Sequence, residues 1–184
     1  QLESSIFDKT TEKYVKWVGD FPNKSKYVRV EVYKQTPNYL DENGKSIKFD
    51  DWKSHYIKYL TFNKNRISEK NLINFWKWLN DINHVSNLIV AVNNNKNILG
   101  HLHYKFSPNA VRGKNIGFLD DIYVDTQYRK LGIAKKLINH LVKIGKKNKW
   151  EIIRWHCDTN NYDAINYYLK FSNKKKWYTF ELKI

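Results

Sequence analysis

Methionine is absent from this 184-residue chain, cysteine occurs once and proline three times. The single thiol, Cys157, excludes an intrachain disulfide framework and suits a reducing compartment. No stretch approaches the ~18 consecutive apolar residues of a membrane span. No N-terminal apolar segment of the secretory type occurs either, so a cytoplasmic protein with no membrane partner is expected. Because the chain begins at Gln1 without methionine, an earlier targeting segment stays open. Acidic residues are also few, 18 against 33 basic ones, for a net charge of +15. That excess could release counterions from a nucleic acid. Arginine, which phosphate and base readers favour, supplies only five of the cations: Arg29, Arg66, Arg112, Arg129 and Arg154. The balance is better explained by a Lys/Asn-rich composition, and a nucleic-acid partner stays open as the lesser reading.

What is plentiful is material for a core. Hydrophobic residues make up 41% of the chain and aromatics 16%, which excludes a disordered chain; the length fits one domain. Residues 1–25 carry no readable pattern and are taken as an N-terminal extension, with a single domain over 26–184. Tyr27 to Lys34 alternates as a strand, with Val28, Val30 and Val32 on one face. Asp50 or Asp51 is expected to cap a helix through Trp52, Tyr56, Ile57 and Leu60. Ser68 opens a second helix, with Leu72, Phe75, Trp76 and Leu79 along one side. Leu88–Val92 and Ile98–Phe106 read as strand, turn, strand. His101 and His103 share a face of the second strand. A His-x-His pair is half of a metal site, but no Cys or acid sits at a supporting spacing, so solvent-facing histidines and no metal are expected. Ser107 to Asn115 reads as a loop.

The stretch from Phe118 to Ala134 organises the rest. Phe118-Leu-Asp-Asp-Ile-Tyr-Val is a strand interrupted by Asp120 and Asp121, and Asp125-Thr-Gln is a turn. From Ala134 the apolar residues fall at 134, 137, 138, 141 and 142, the rhythm of a helix with one buried face. A helix start presents amides without intrahelical partners and a partial positive charge. Gly132 allows close approach of phosphates, and Arg129 adds a cation of fork geometry. A pyrophosphate fits this junction. The dinucleotide and P-loop glycine patterns do not occur anywhere in the chain. Further on, Glu151–Cys157 reads as a strand and Asn161–Phe171 as a helix capped by Asn160. Trp177–Leu182 reads as a closing strand.

Arg129, Gly132 and Ala134 form R-x-x-G-x-A after an acidic strand. This resembles the signature of the GNAT acetyltransferase superfamily, Q/R-x-x-G-x-G/A. Asn161, Ala164 and Tyr168 resemble its second signature, N-x-x-A-x-x-x-Y. The glycine that usually follows is replaced, in Lys170-Phe171-Ser172. The strand Phe118–Val124 also looks like that of polyamine and small-amine acetyltransferases. The resemblance implies a mixed α/β fold, a mostly antiparallel central sheet flanked by helices. It implies acetyl-CoA as co-substrate, with backbone groups of Ile122, Tyr123 and Val124 pairing with pantetheine. Amides from Arg129, Lys130, Leu131, Gly132, Ile133 and Ala134 would hold pyrophosphate, and Asn161 would contact the donor. Tyr168 would protonate the departing thiolate.

Acetyl transfer to an amine also needs a base, since an amine of pKa near ~10.4 is almost wholly protonated at neutral pH. Asp120 and Asp121 are the candidates; as neighbours on a strand they are expected on opposite faces, with Asp120 the base and Asp121 second. The expected activity is N-acetyl transfer, by direct attack, to a primary and cationic small amine. The alternatives are a toxin-like enzyme acting on aminoacyl-tRNA, or a protein N-acetyltransferase. A homodimer is compatible with this reading.

Overall fold

The computed structural model describes residues 14–18, 27–33 and 47–184 apart from Lys96, with backbone only for the first two segments. Six strands form one sheet in sequence order: β1 (Tyr14–Val18), β2 (Tyr27–Tyr33), β3 (Asn87–Val92), β4 (Ile98–Asn109), β5 (Lys114–Val124) and β6 (Ile153–Trp155). Pairing is antiparallel from β1 to β5 and parallel between β5 and β6. This is the expected mixed, mostly antiparallel sheet. β1 falls within the stretch of 1–25 that has no readable pattern.

Helices α1 (Phe49–Phe62) and α2 (Glu69–Asn80) cover one face; α3 (Ile133–Lys147) covers the other, and α4 (Tyr162–Tyr168) packs against that side. Every residue of β3 is buried. Its even residues Leu88, Val90 and Val92 join Trp52, Leu72 and Leu79, while Ile89 and Ala91 join Ile133, Leu137 and Leu141. Covering both faces is what makes the β3 sequence continuously apolar. Trp150 packs where two side chains are missing. A Cβ on Gly117 would lie 2.5 Å from the Trp150 ring, and one on Gly145 3.1 Å from it.

Several local expectations are corrected. Lys48, not Asp50 or Asp51, is the N-cap of α1; the two aspartates lie in the first turn, where they complement the helix dipole. Asn161 caps α4 in place of Asn160, accepting from the Ala164 amide at 3.2 Å. Ser107 to Asn115 is mostly strand: β4 and β5 stay paired as far as Asn109 and Lys114, around a 3-10 turn, Ala110–Arg112. Gly113, at φ 58°, closes that turn in the left-handed region. Residues 177–182 form no strand, and Trp177, Tyr178, Phe180 and Leu182 are exposed. Alternation predicts a strand only where a partner supplies the ladder; among the described residues β6 pairs with β5 alone.

Candidate active site

The site begins with a defect in the sheet. His103 pairs with Asp121 and Tyr104 with Leu119, which leaves Asp120 as an extra residue. Such a bulge rotates the strand locally. Asp120 therefore bonds Lys105 Nζ at 2.6 Å, while Asp121 bonds His103 Nδ1 at 2.7 Å. Lys105 and His103 are alternate residues of β4, on its α1 side. Both carboxylates thus share one face, which corrects the expectation of opposite faces.

Their environments differ. Asp120 is part-exposed, its side chain at 30%, whereas that of Asp121 is at 9%. Burial pushes the Asp121 carboxyl up, but His103 and His101 beside it overcome this and hold it below the usual carboxylate range. His101 Nε2 is 3.3 Å from the same oxygen. His101 and His103 are buried at 0% and 1%, correcting the solvent-facing expectation. The acidic partner absent from local spacing comes across the sheet. His101, His103 and Asp121 bring three potential ligand atoms within 4.8 Å. From α1, Trp52 Nε1 donates to His103 Nε2 at 3.1 Å, and Tyr56 stacks edge-on against both histidines. Burial, with Asp121 and then Tyr59 and Asp120 nearby, raises the Tyr56 phenol. His55 lies edge-on to His101, and its buried Nε2 has no hydrogen-bond partner among the described residues. Trp52, His55 and Tyr56 carry no site signal in the sequence. The amphipathic pattern of α1 marks them only as core.

Beyond the bulge the sheet opens. β5 pairs with β6 only over Gly117, Phe118 and Leu119. From Asp120 to Val124, including Ile122 and Tyr123, β5 has no strand on that side among the described residues. The chain then turns through Asp125, whose buried side chain accepts from Lys58 at 2.7 Å and from the Gln127 amide at 3.4 Å. Lys130 and Gly132 both have positive φ, 63° and 76°. Gly132 is the N-cap of α3, and the first helical bond runs from Lys136 N to its carbonyl. The amides of Gly132, Ile133, Ala134 and Lys135 therefore have no intrahelical acceptor. Leu131 packs against the core and Ile133 is buried in it, so this turn is anchored from below. The Arg129 side chain points elsewhere. Its Nε donates to Val124 O at 3.1 Å, and its guanidinium lies 4.5 Å from the Phe62 ring centre.

Tyr168 closes the α4 side. Its ring meets Trp155 edge-on at 5.4 Å, and burial, aided by Cys157 and Tyr167, pushes its phenol up to about 12. It is protonated at neutral pH. Burial and Asp158 likewise raise the Cys157 thiol, so it is no ready nucleophile. Among the described residues, no helix is long and apolar enough to cross a membrane.

An open strand edge followed by a glycine-started helix is a frame for an extended ligand with phosphates at one end. The fold matches a ribosomal-protein-alanine N-acetyltransferase from Brucella melitensis biovar Abortus 2308, with TM-score 0.65 and 18% identity over 85% of this chain and 99% of that one. It also matches an aminoglycoside acetyltransferase from an uncultured soil metagenomic sample, with TM-score 0.66 and 19% identity over 85% and 96%. A probable acetyltransferase matches with TM-score 0.67 and 18% identity over 85% and 97%. No curated protein matches the sequence. Residues 49–172, from the start of α1 to just past α4, match the acetyltransferase (GNAT) family. The chain belongs to that family: it is an N-acetyltransferase whose family uses acetyl-CoA as co-substrate.

Proposed function

We propose that the enzyme transfers the acetyl group of acetyl-CoA directly to a small, cationic primary amine. The observation that carries this is the β5 bulge. It gathers Asp120 and Asp121 on one face, at the point where β5 leaves β6 and opens a backbone edge toward the first-turn amides of α3, which have no intrahelical acceptor. In this reading Ile122, Tyr123 and Val124 offer backbone groups to pantetheine, and an amide among them polarises the thioester carbonyl. The amides of the Arg129–Ala134 turn, through Lys130, Leu131, Gly132 and Ile133, hold the pyrophosphate. The Asn161 carbonyl is spent on its helix cap, so its NH₂ group makes the donor contact.

Asp120, the accessible carboxylate, takes the amine proton through water; Asp121 supplies fixed negative charge behind it. The amine nitrogen attacks the carbonyl carbon, the carbon–sulfur bond breaks, and Tyr168 protonates the leaving thiolate. No step in this sequence calls for a metal. The test is an acceptor panel with acetyl-CoA: polyamines and aminoglycosides against neutral and acidic amines, with peptide N-termini and aminoacyl-tRNA alongside. Preference for cationic small amines supports the reading. Preference for acidic amines contradicts it, and acetylation of aminoacyl-tRNA or peptide alone would replace it.

A further inference from the structure

We propose that His103, locked by Trp52, is a positioning residue that fixes the Asp120–Asp121 bulge and so aims the acceptor side of the reaction. The functional part rests on the amine-acetylating reading above; the hydrogen-bond relay stands on geometry alone.

An indole N–H only donates. Trp52 Nε1 lies 3.1 Å from His103 Nε2, so Nε2 is the accepting nitrogen. The ring proton is then on Nδ1, which donates to Asp121 Oδ1 at 2.7 Å. The donor-only group at the head of the relay sets every direction in it. A doubly protonated ring would place two donors face to face at Nε2.

The relay crosses three elements, α1, β4 and β5, and its inner members are sealed: Trp52 and His103 are each 1% exposed. Breaking either bond leaves an unpaired polar group in a low-dielectric interior, so the arrangement is stiff. Its last bond falls at the register shift, where His103 faces Asp121 and Asp120 is the extra residue. Fixing Asp121 to His103 fixes which residue is extruded, and thereby the direction of Asp120. Phe75 packs on the His103 ring at 4.8 Å and leaves it little room to turn.

A metal centre is the competing account, because three ligand atoms are gathered here. It fits less well. The 2.7 Å contact is a hydrogen-bond length, and both His103 nitrogens are already engaged. A metal at about 2.0–2.1 Å from the ring nitrogen would have to displace these bonds.

The experiment combines histidine ¹H–¹⁵N correlation spectra of the full chain with kinetics. His103, assigned by its loss in His103→Asn, is expected as the Nδ1–H tautomer, and Trp52→Phe should abolish that preference. His103→Leu should lower kcat about tenfold or more through misplacement, while KM for acetyl-CoA moves less than about twofold. His103→Asn, which retains a donor near the Nδ1 position, should recover most of the loss. An Nε2–H tautomer or imidazolium in the wild type overturns the proposal. So does stoichiometric zinc in the purified chain, or a folded His103→Leu variant with wild-type kcat. If no amine is acetylated the functional reading fails, and the spectra still decide the relay.

Discussion

Lys105 Nζ lies 2.6 Å from Asp120 Oδ1, an ion pair on the part-exposed rim of the bulge. If a cationic amine must reach Asp120, Lys105 occupies its place in the resting enzyme. Part-exposed pairs are worth little, about 0.2–1 kcal/mol. Lys105→Leu should therefore lower KM for a cationic acceptor by no more than about fivefold, leaving KM for acetyl-CoA unchanged. Steady-state kinetics with one polyamine decide this, and a raised acceptor KM would contradict it.

Gly132 tests the phosphate end. A Cβ there would meet nothing within 4 Å, so the constraint is its φ of 76° and not space. Gly132→Ala should cost about 1–2 kcal/mol of stability from left-handed strain. Gly132→Glu adds a negative charge among the amides and should remove most coenzyme A affinity. Calorimetry on a folded Gly132→Glu variant showing wild-type affinity would displace the pyrophosphate from this turn.

Gly117 behaves oppositely. Its backbone is unstrained, but a Cβ would sit 2.5 Å from a rigid indole. Gly117→Ala should destabilise the fold by about 1–3 kcal/mol, read as a lower urea midpoint. An unchanged midpoint would mean that Trp150 moves freely.

Two buried histidines predict the response to acid. Burial, then His101, holds His55 down at about 3; burial, then Lys143, holds His140 at about 4, both from an ordinary 6.5. Above pH 6.5 both are neutral whether folded or not, and their contribution is fully present. As pH falls below that, the unfolded chain takes up protons the folded one refuses, so stability drops by about 1.4 kcal/mol per unit per histidine. From about pH 6.5 to about pH 5 the two should cost about 3 kcal/mol, since the unfolded imidazoles are already half protonated at the start of that window. Urea titrations at the two values check this; an equal or higher midpoint at the lower pH would contradict it.

Much of the architecture is legible locally. The α3 period, the glycine at its start and the acidic strand lie within a few residues of one another, and each has a local physical cause. The His101–His103–Asp121 cluster is not legible, because His103 and Asp121 are 18 positions apart in sequence, across a hairpin whose register no local rule sets. The bulge is equally hidden. Strict alternation separates Asp120 from Asp121, and only the observed pairing reunites them. Trp177–Leu182 fails for the complementary reason: its alternation is clear, but no partner strand among the described residues accepts it.

Tyr168 carries the most direct test of the mechanism. Its phenol, raised to about 12, is protonated at neutral pH and half-buried beside Trp155 and Cys157. Tyr168→Phe deletes only the hydroxyl, and loss of a general acid typically costs about 10²–10⁴-fold in rate. Tyr167 is one residue round the helix, about 100° away, and serves as control. The measurement is kcat for acetyl transfer in both variants, beside calorimetric coenzyme A affinity. The account predicts a fall of at least about tenfold for Tyr168→Phe with binding retained, and little change for Tyr167→Phe. Wild-type kcat in Tyr168→Phe would contradict it and leave Tyr168 as a packing residue.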